Sequence, residues 1–167
     1  VAKTISVGYT DTPISGVSSL TFPRGILNFT KDFRIKSNNA GKEIVLTNIT
    51  SPIDRPENIR IAFTDIANIY AGTGVDPSIL APTKRGVSIL AQHTDVLSVT
   101  DTVDADYRVD LPISAHIVIK VPSSEHVSAA VVQTLVGRLL SSLFDEGVAT
   151  TSRLESILRG SLAPTGL

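Results

Sequence analysis

The chain has 167 residues, with 15 Lys and Arg against 16 Asp and Glu for a formal charge of -1. No global positive field therefore advertises nucleic acid or a membrane surface, and any such surface must be local. There is no Cys, which excludes disulfides, thiolate nucleophiles and thiolate metal sites while fitting any redox compartment. The length predicts one domain, residues 1–167. Mean hydropathy is +0.21 and charged residues make up 19%, below the usual quarter. That balance predicts more apolar surface than one small core needs, with self-association as its outlet. No apolar run reaches bilayer length and no leader pattern stands at the start, so a soluble chain is expected.

In chain order, residues 4–9 and 17–22 predict two short strands joined by a turn at Pro13 and Gly16, an N-terminal hairpin. Over 26–36, Leu27, Phe29, Phe33 and Ile35 share one parity and Thr30, Asp32, Arg34 and Lys36 the other, which predicts a strand. "SNNAGK" turns the chain into a more covered strand at 43–49. The prolines of 51–56 make a loop. Residues 58–66 predict a strand with Ile59, Ile61 and Phe63 inward and Arg60, Ala62 and Thr64 outward.

Gly72, Gly74, Pro77 and Pro82 make 71–85 a long connection, with a helical turn at 76–80. Residues 86–100 predict a strand whose pattern shifts near His93, as at a bulge or bend. A polar loop follows at 101–106. Over 109–121, Val109, Leu111, Ile113, Ala115, Ile117, Ile119 and Val121 form one stripe, and Arg108, Asp110, Ser114, His116, Val118 and Lys120 the other. Tyr107 falls on the apolar parity and is expected in the core. Pro112 marks an edge strand or a nearby bulge.

After Pro122 the period changes from two to that of a helix. Val127, Val131, Leu135, Leu139 and Leu143 recur every fourth residue, joined by Val132, Val136, Leu140 and Phe144, so 124–144 predicts an amphipathic helix. Ser123 or Ser124 is its expected cap, with Glu125 at the positive end. Gly147 ends it, and a shorter helix is expected over 150–158, closed by Gly160. The predicted class is α+β: an antiparallel meander with an N-terminal hairpin, then two C-terminal helices. Such helices cover one sheet face; the other is left for solvent or a ligand. The apolar girth of 124–144 favours packing across a second subunit, with Val131, Leu135, Leu139, Leu140, Leu143 and Phe144 at a dimer interface.

Arg34, Lys36, Arg60, Arg108, His116 and Lys120 stand on the polar sides of several strands. If those strands adjoin in phase they make a basic face able to meet phosphates. Each residue alone reads more simply as a solvated strand position. His93, His116 and His126 lack a zinc-type spacing, and no metal is predicted. Asp101, Asp104, Asp106 and Asp110 hold enough oxygens for a loose calcium site, but without an EF-hand glycine or terminal glutamate, and a solvated loop is the favoured reading. No nucleophile elbow, phosphate loop or dinucleotide fingerprint occurs, so neither an enzyme nor a cofactor nor a small-molecule substrate is expected.

Three stretches, "AKTISVGYTD", "FPRGILN" and "YRVDLPISAHIVIKVPSSEHVSAAVVQTLVGRLLSSLF", resemble in order and character the coat proteins of single-stranded RNA bacteriophages, and the likeness of organisation spans the whole chain. The resemblance implies an intertwined homodimer whose helices cross onto the partner's sheet. It further implies an icosahedral shell with helices outside and single-stranded genomic RNA on the interior sheet face, assembled in the bacterial cytoplasm without a membrane. Residues 71–99 depart from the better-known members, and no base pocket carries over. A non-viral β-rich homo-oligomeric protein-binding module is the alternative.

Overall fold

The structure, a computed structural model, describes residues 3–12, 22, 24–76, 78, 83–144 and 152–164. The chain divides into two compact units, one of residues 27–123 and one combining 1–26 with 124–167.

The first unit is a five-stranded antiparallel meander of β1 (Phe33–Asn39), β2 (Glu43–Asn48), β3 (Asn58–Ile66), β4 (Gly86–Thr100) and β5 (Arg108–Pro122), adjacent in chain order. The strand expected from residue 26 starts later. Asn28 caps a single helical turn, α1 (Phe29–Asp32), by accepting the Lys31 amide at 3.2 Å. A side chain that satisfies an orphan amide competes with strand formation at such a point. In β1 the pairing with β2 shifts between Ile35 and Ser37, leaving Lys36 as the extra residue of a bulge. Gly41, at φ 76°, makes the tight turn into β2.

No bulge occurs at His93. The register runs unbroken through it, against Ile59 on one side and Ala115 on the other. β3 begins opposite Thr94, whereas β4 and β5 pair as far as Thr100 and Arg108. The last six residues of β4 therefore form a two-stranded arm with β5, about 20 Å long at strand rise. Pro112 lies on β5, an edge strand of the sheet, as its missing donor requires. The long connection after β3 is closed at its base by the Ile69 amide donating to Lys84 O at 2.9 Å. At the expected helical turn, Asp76 accepts from the Ser78 amide and hydroxyl, and the rest of 76–80 lies outside the described residues.

The second unit contains α2 (Ala129–Ser141) and α3 (Ser152–Leu158). The first helix starts later than 124 because Ser128, not Ser123 or Ser124, is its cap, its hydroxyl accepting the Val131 amide at 3.4 Å. Ser124 instead closes a separate turn, accepting the Val127 amide on its carbonyl and the His126 amide on its hydroxyl. α3 ends in paired bonds from Gly160 to Ile157 O and Ser161 to Ser156 O, a Schellman-type closure. Residues 4–9, expected as a hairpin arm, run without a strand. Of the other arm, 17–22, only Phe22 is described.

Among the described residues only Phe33 and Ile59 are buried apolar side chains, at 5% and 9% exposure. The inward positions expected at Ile61 and Phe63 are exposed, as are Tyr107 and the 109–113 end of the β5 stripe. A sheet of this hydropathy with so small an interior leaves its apolar face for another surface to cover.

Candidate functional site

Directly opposed residues of an antiparallel ladder share a face, so the pairing itself sorts the side chains. Ser114, Thr94, Asn58, Thr47 and Arg34 form one continuous row across all five strands; His116, Gln92, Arg60, Val45 and Ser37 form the next. Lys120, Ser88 and Thr64 lie further along the same face, and Arg108 with Thr100 and Asp110 with Ser98 lie on it in the arm. Five of the six predicted basic positions, Arg34, Arg60, Arg108, His116 and Lys120, thus share one face; the sixth, Lys36, is the bulge residue.

The opposite face carries Phe33, Ile35, Ile44, Leu46, Ile59, Ile61, Phe63, Ile89 and the odd-numbered residues of β5. Its polar interruption at His93 is tied down: the ring Nε2 lies 3.0 Å from Glu57 Oε1, while Glu57 Oε2 accepts from Asn48 Nδ2 at 2.7 Å.

The basic residues are unequal in charge. Arg60 donates to Glu43 at 2.7 Å, a bond that holds the Glu43 carboxyl below its ordinary value. Arg108 is bound by two carboxylates, Asp110 and Asp54. Asp110 is held below its ordinary value first by Arg108 and then by the Ser98 hydroxyl. Arg34 turns back to the carbonyls of Phe33 and Thr30, at 2.7 and 3.3 Å. Among the described residues, Lys36, His116 and Lys120 make no side-chain hydrogen bond or ion pair, so their donors are available.

Sequence reasoning missed Thr47, Asn58, Gln92 and Thr94, whose alignment into rows depends on register between strands far apart in the chain. Asn58 Oδ1 is buried without a hydrogen-bond partner among the described residues, in the middle of the first row.

The aspartates of the β4–β5 loop bond their own backbone. Asp101 accepts the Val103 and Asp104 amides, which hold it below its ordinary value, and Asp104 accepts that of Asp106. Among the described residues no group of three or more His, Asp or Glu could hold a metal ion, and no helix is long and apolar enough to cross a membrane.

On α2 the expected interface residues divide into two stripes. Val132, Val136, Leu140 and Phe144 are half-buried, with Phe144 edge-on to Phe22 at 5.8 Å. Val131, Leu135, Leu139 and Leu143 are exposed, Leu135 and Leu139 at 51% and 54%. Leu140 and Phe144 thus serve the unit's own packing, and the other four face outward.

The chain is similar, over 99% of its length and 100% of the other's, to the chain of the virus-like particle of bacteriophage AVE015, at 26% identity and a TM-score of 0.84. It is similar over 96% of its length to 97% of the chain of the virus-like particle of bacteriophage GQ-112, at 15% identity and a TM-score of 0.80, a likeness of fold. No protein-family model and no curated protein matches it. The fold and these likenesses point to a structural protein of the viral coat kind.

Proposed function

We propose that the chain is a coat protein whose dimers assemble into an icosahedral shell around single-stranded RNA, the whole of 1–167 serving as one subunit. The observation that carries this reading is the two-faced sheet: one face apolar yet exposed, the other crossed by polar rows and cations. Val131, Leu135, Leu139 and Leu143 of one copy cover the apolar face of a second, so that both surfaces leave water together. The polar face turns inward to the RNA. Lys120, His116 and Lys36 meet phosphates. Residues 71–86 contribute contacts between dimers, as long surface connections on a rigid scaffold can. The family resemblance drawn from sequence, together with the bacteriophage particles matched in fold, supports the shell and its assembly in the bacterial cytoplasm.

Expression in bacteria followed by sedimentation and nuclease treatment tests the proposal. The expected product is a large particle of one polypeptide containing nuclease-protected RNA. Leu139→Asp with Leu143→Asp is expected to yield folded small species without particles, because an interface cannot bury those charges unpaired. A small RNA-free dimer from the unaltered chain would favour a protein-binding module instead.

A further inference from the structure

Of the three histidines, two stand beside a carboxylate: His93 Nε2 lies 3.0 Å from Glu57 Oε1 and His126 Nε2 3.8 Å from Glu125 Oε1. His116 differs. It is exposed on β5, on the polar face, and its side chain makes no hydrogen bond or ion pair among the described residues. Histidine is the side chain whose charge ordinarily changes between about pH 5 and 8. A charge gained at His116 has no carboxylate of the described residues to settle against, so an anion brought by a ligand is its natural partner.

The register names what surrounds the ring. Opposite it on β4 stands Gln92, with Leu90 and Thr94 to either side, and the adjoining residues of the same face of β5 are Ser114 and Val118. None of these carries a charge. Arg60 lies beyond Gln92, two strands or about 10 Å away, and its guanidinium is bound to Glu43 at 2.7 Å. Lys120 is further along β5, about 13 Å at strand rise, beyond the screening length of roughly 8 Å at physiological salt. Asp110, in the other direction, is bound by Arg108. On its outer side β5 is an edge of the sheet, with no further strand among the described residues.

We infer that His116 couples RNA binding to proton uptake, so that the chain grips RNA more tightly in mild acid and loosens its hold as pH rises. This rests on the reading of the polar face as the one that meets RNA, and adds its regulation. A phosphate placed at His116 favours the imidazolium, and by linkage the imidazolium favours the phosphate to the same extent. The sign follows: affinity is greatest while the ring is charged and falls as pH rises through its titration. The carboxylates of this face do not blur the effect. Glu43 and Asp110 are held below their ordinary values, first by the hydrogen bonds of Arg60 and Arg108, and stay ionised over the range in which a histidine titrates.

The test is the binding of a uridine-only RNA, whose bases take up no proton in this range, to the full chain over a series of salt concentrations at about pH 5.5 and about pH 8. For the unaltered chain the slope of log affinity against log salt is expected to be steeper in acid by about 0.7, the share of one phosphate contact on a single strand. His116→Gln is expected to show the shallower slope in both conditions and His116→Lys the steeper one in both, while His126→Gln keeps the unaltered behaviour. His116→Lys decides the matter should His116→Gln fold poorly. A pH dependence that survives in a folded His116 variant, its loss in His126→Gln, or its absence from the unaltered chain overturns the coupling and leaves RNA binding standing. No RNA binding by the unaltered chain in either condition overturns both.

Discussion

Arg108 forms a two-pronged ion pair with Asp110 two residues along the same strand, Nε to Oδ1 and Nη2 to Oδ2, both at 2.9 Å. The pair sits at the outer end of the β4–β5 arm, where Asp54 reaches it from the β2–β3 loop at 3.1 Å. Arg55 also donates to Asp54 Oδ2, at 3.3 Å, so two guanidinium groups and two carboxylates neutralise one another here and Arg108 is not free to meet a phosphate. The nearest cation along β5 with no side-chain partner among the described residues is Lys120, at the other end.

Lys120 is therefore expected to matter more to RNA than Arg108. Lys120→Ala is expected to lower the slope of log affinity against log salt by about one, the share of a single phosphate contact. Arg108→Ala is expected to change it less, and Asp110→Asn to strengthen binding by releasing the guanidinium. Titration of one defined RNA against each variant over a range of salt checks the order, and an equal effect of Arg108→Ala and Lys120→Ala would contradict it.

Acid is expected to loosen the sheet unit through the same contacts. The Glu43 and Asp110 carboxyls are held below their ordinary values chiefly by the guanidinium bonds of Arg60 and Arg108. A depressed folded value contributes stability above the ordinary carboxylate range near about 4, and that contribution fades as pH falls through the folded values. Urea midpoints of the protein measured from neutral pH downward are expected to fall in this window. Glu43→Gln and Asp110→Asn are expected to flatten the dependence, starting from a lower midpoint at neutral pH.

Gly86 is required where β4 begins. A Cβ there would stand 2.5 Å from Ile69 Cδ1 and 2.8 Å from the Val121 carbonyl oxygen. Gly86→Ala is expected to cost about 1–3 kcal/mol, the usual penalty for overpacking. Ile69→Ala added to it is expected to restore only part of the loss, since the backbone oxygen stays in place. Chemical denaturation of the two variants and of Ile69→Ala alone measures the coupling.

Arg138 fastens the N-terminal segment to α2. Its guanidinium lies 4.6 Å from the Tyr9 ring centre and bonds to Asp11. Arg138→Ala is expected to expose residues 3–12 to faster proteolysis while leaving the helical signal in circular dichroism unchanged. Arg138→Lys is expected to fall between, because an ammonium keeps the charge but lacks the planar fork that serves both partners. Unchanged cleavage in Arg138→Ala would reject the fastening.

Alternation was enough to read β3 and β5 nearly to the residue, and helical periodicity to read α2, because period two and period 3.6 are properties of neighbouring residues. The start of β1 was lost to Asn28, whose bond to Lys31 made a helical turn of a stretch that also alternates. The start of α2 passed to Ser128 because three nearby serines offer the same chemistry and only the path of the chain chooses among them. The polar character of Arg60, His116 and Lys120 was visible residue by residue. Their membership of one face, and the rows that Thr47, Asn58, Gln92 and Thr94 complete, depend on register across strands as distant in the chain as those of Arg34 and Ser114, which no local pattern fixes. Composition likewise showed that apolar surface would be left over. Which surface it is, the odd face of β5 and the Leu135–Leu139 stripe of α2, was decided by the tertiary structure, because exposure belongs to the packed chain and not to the residue.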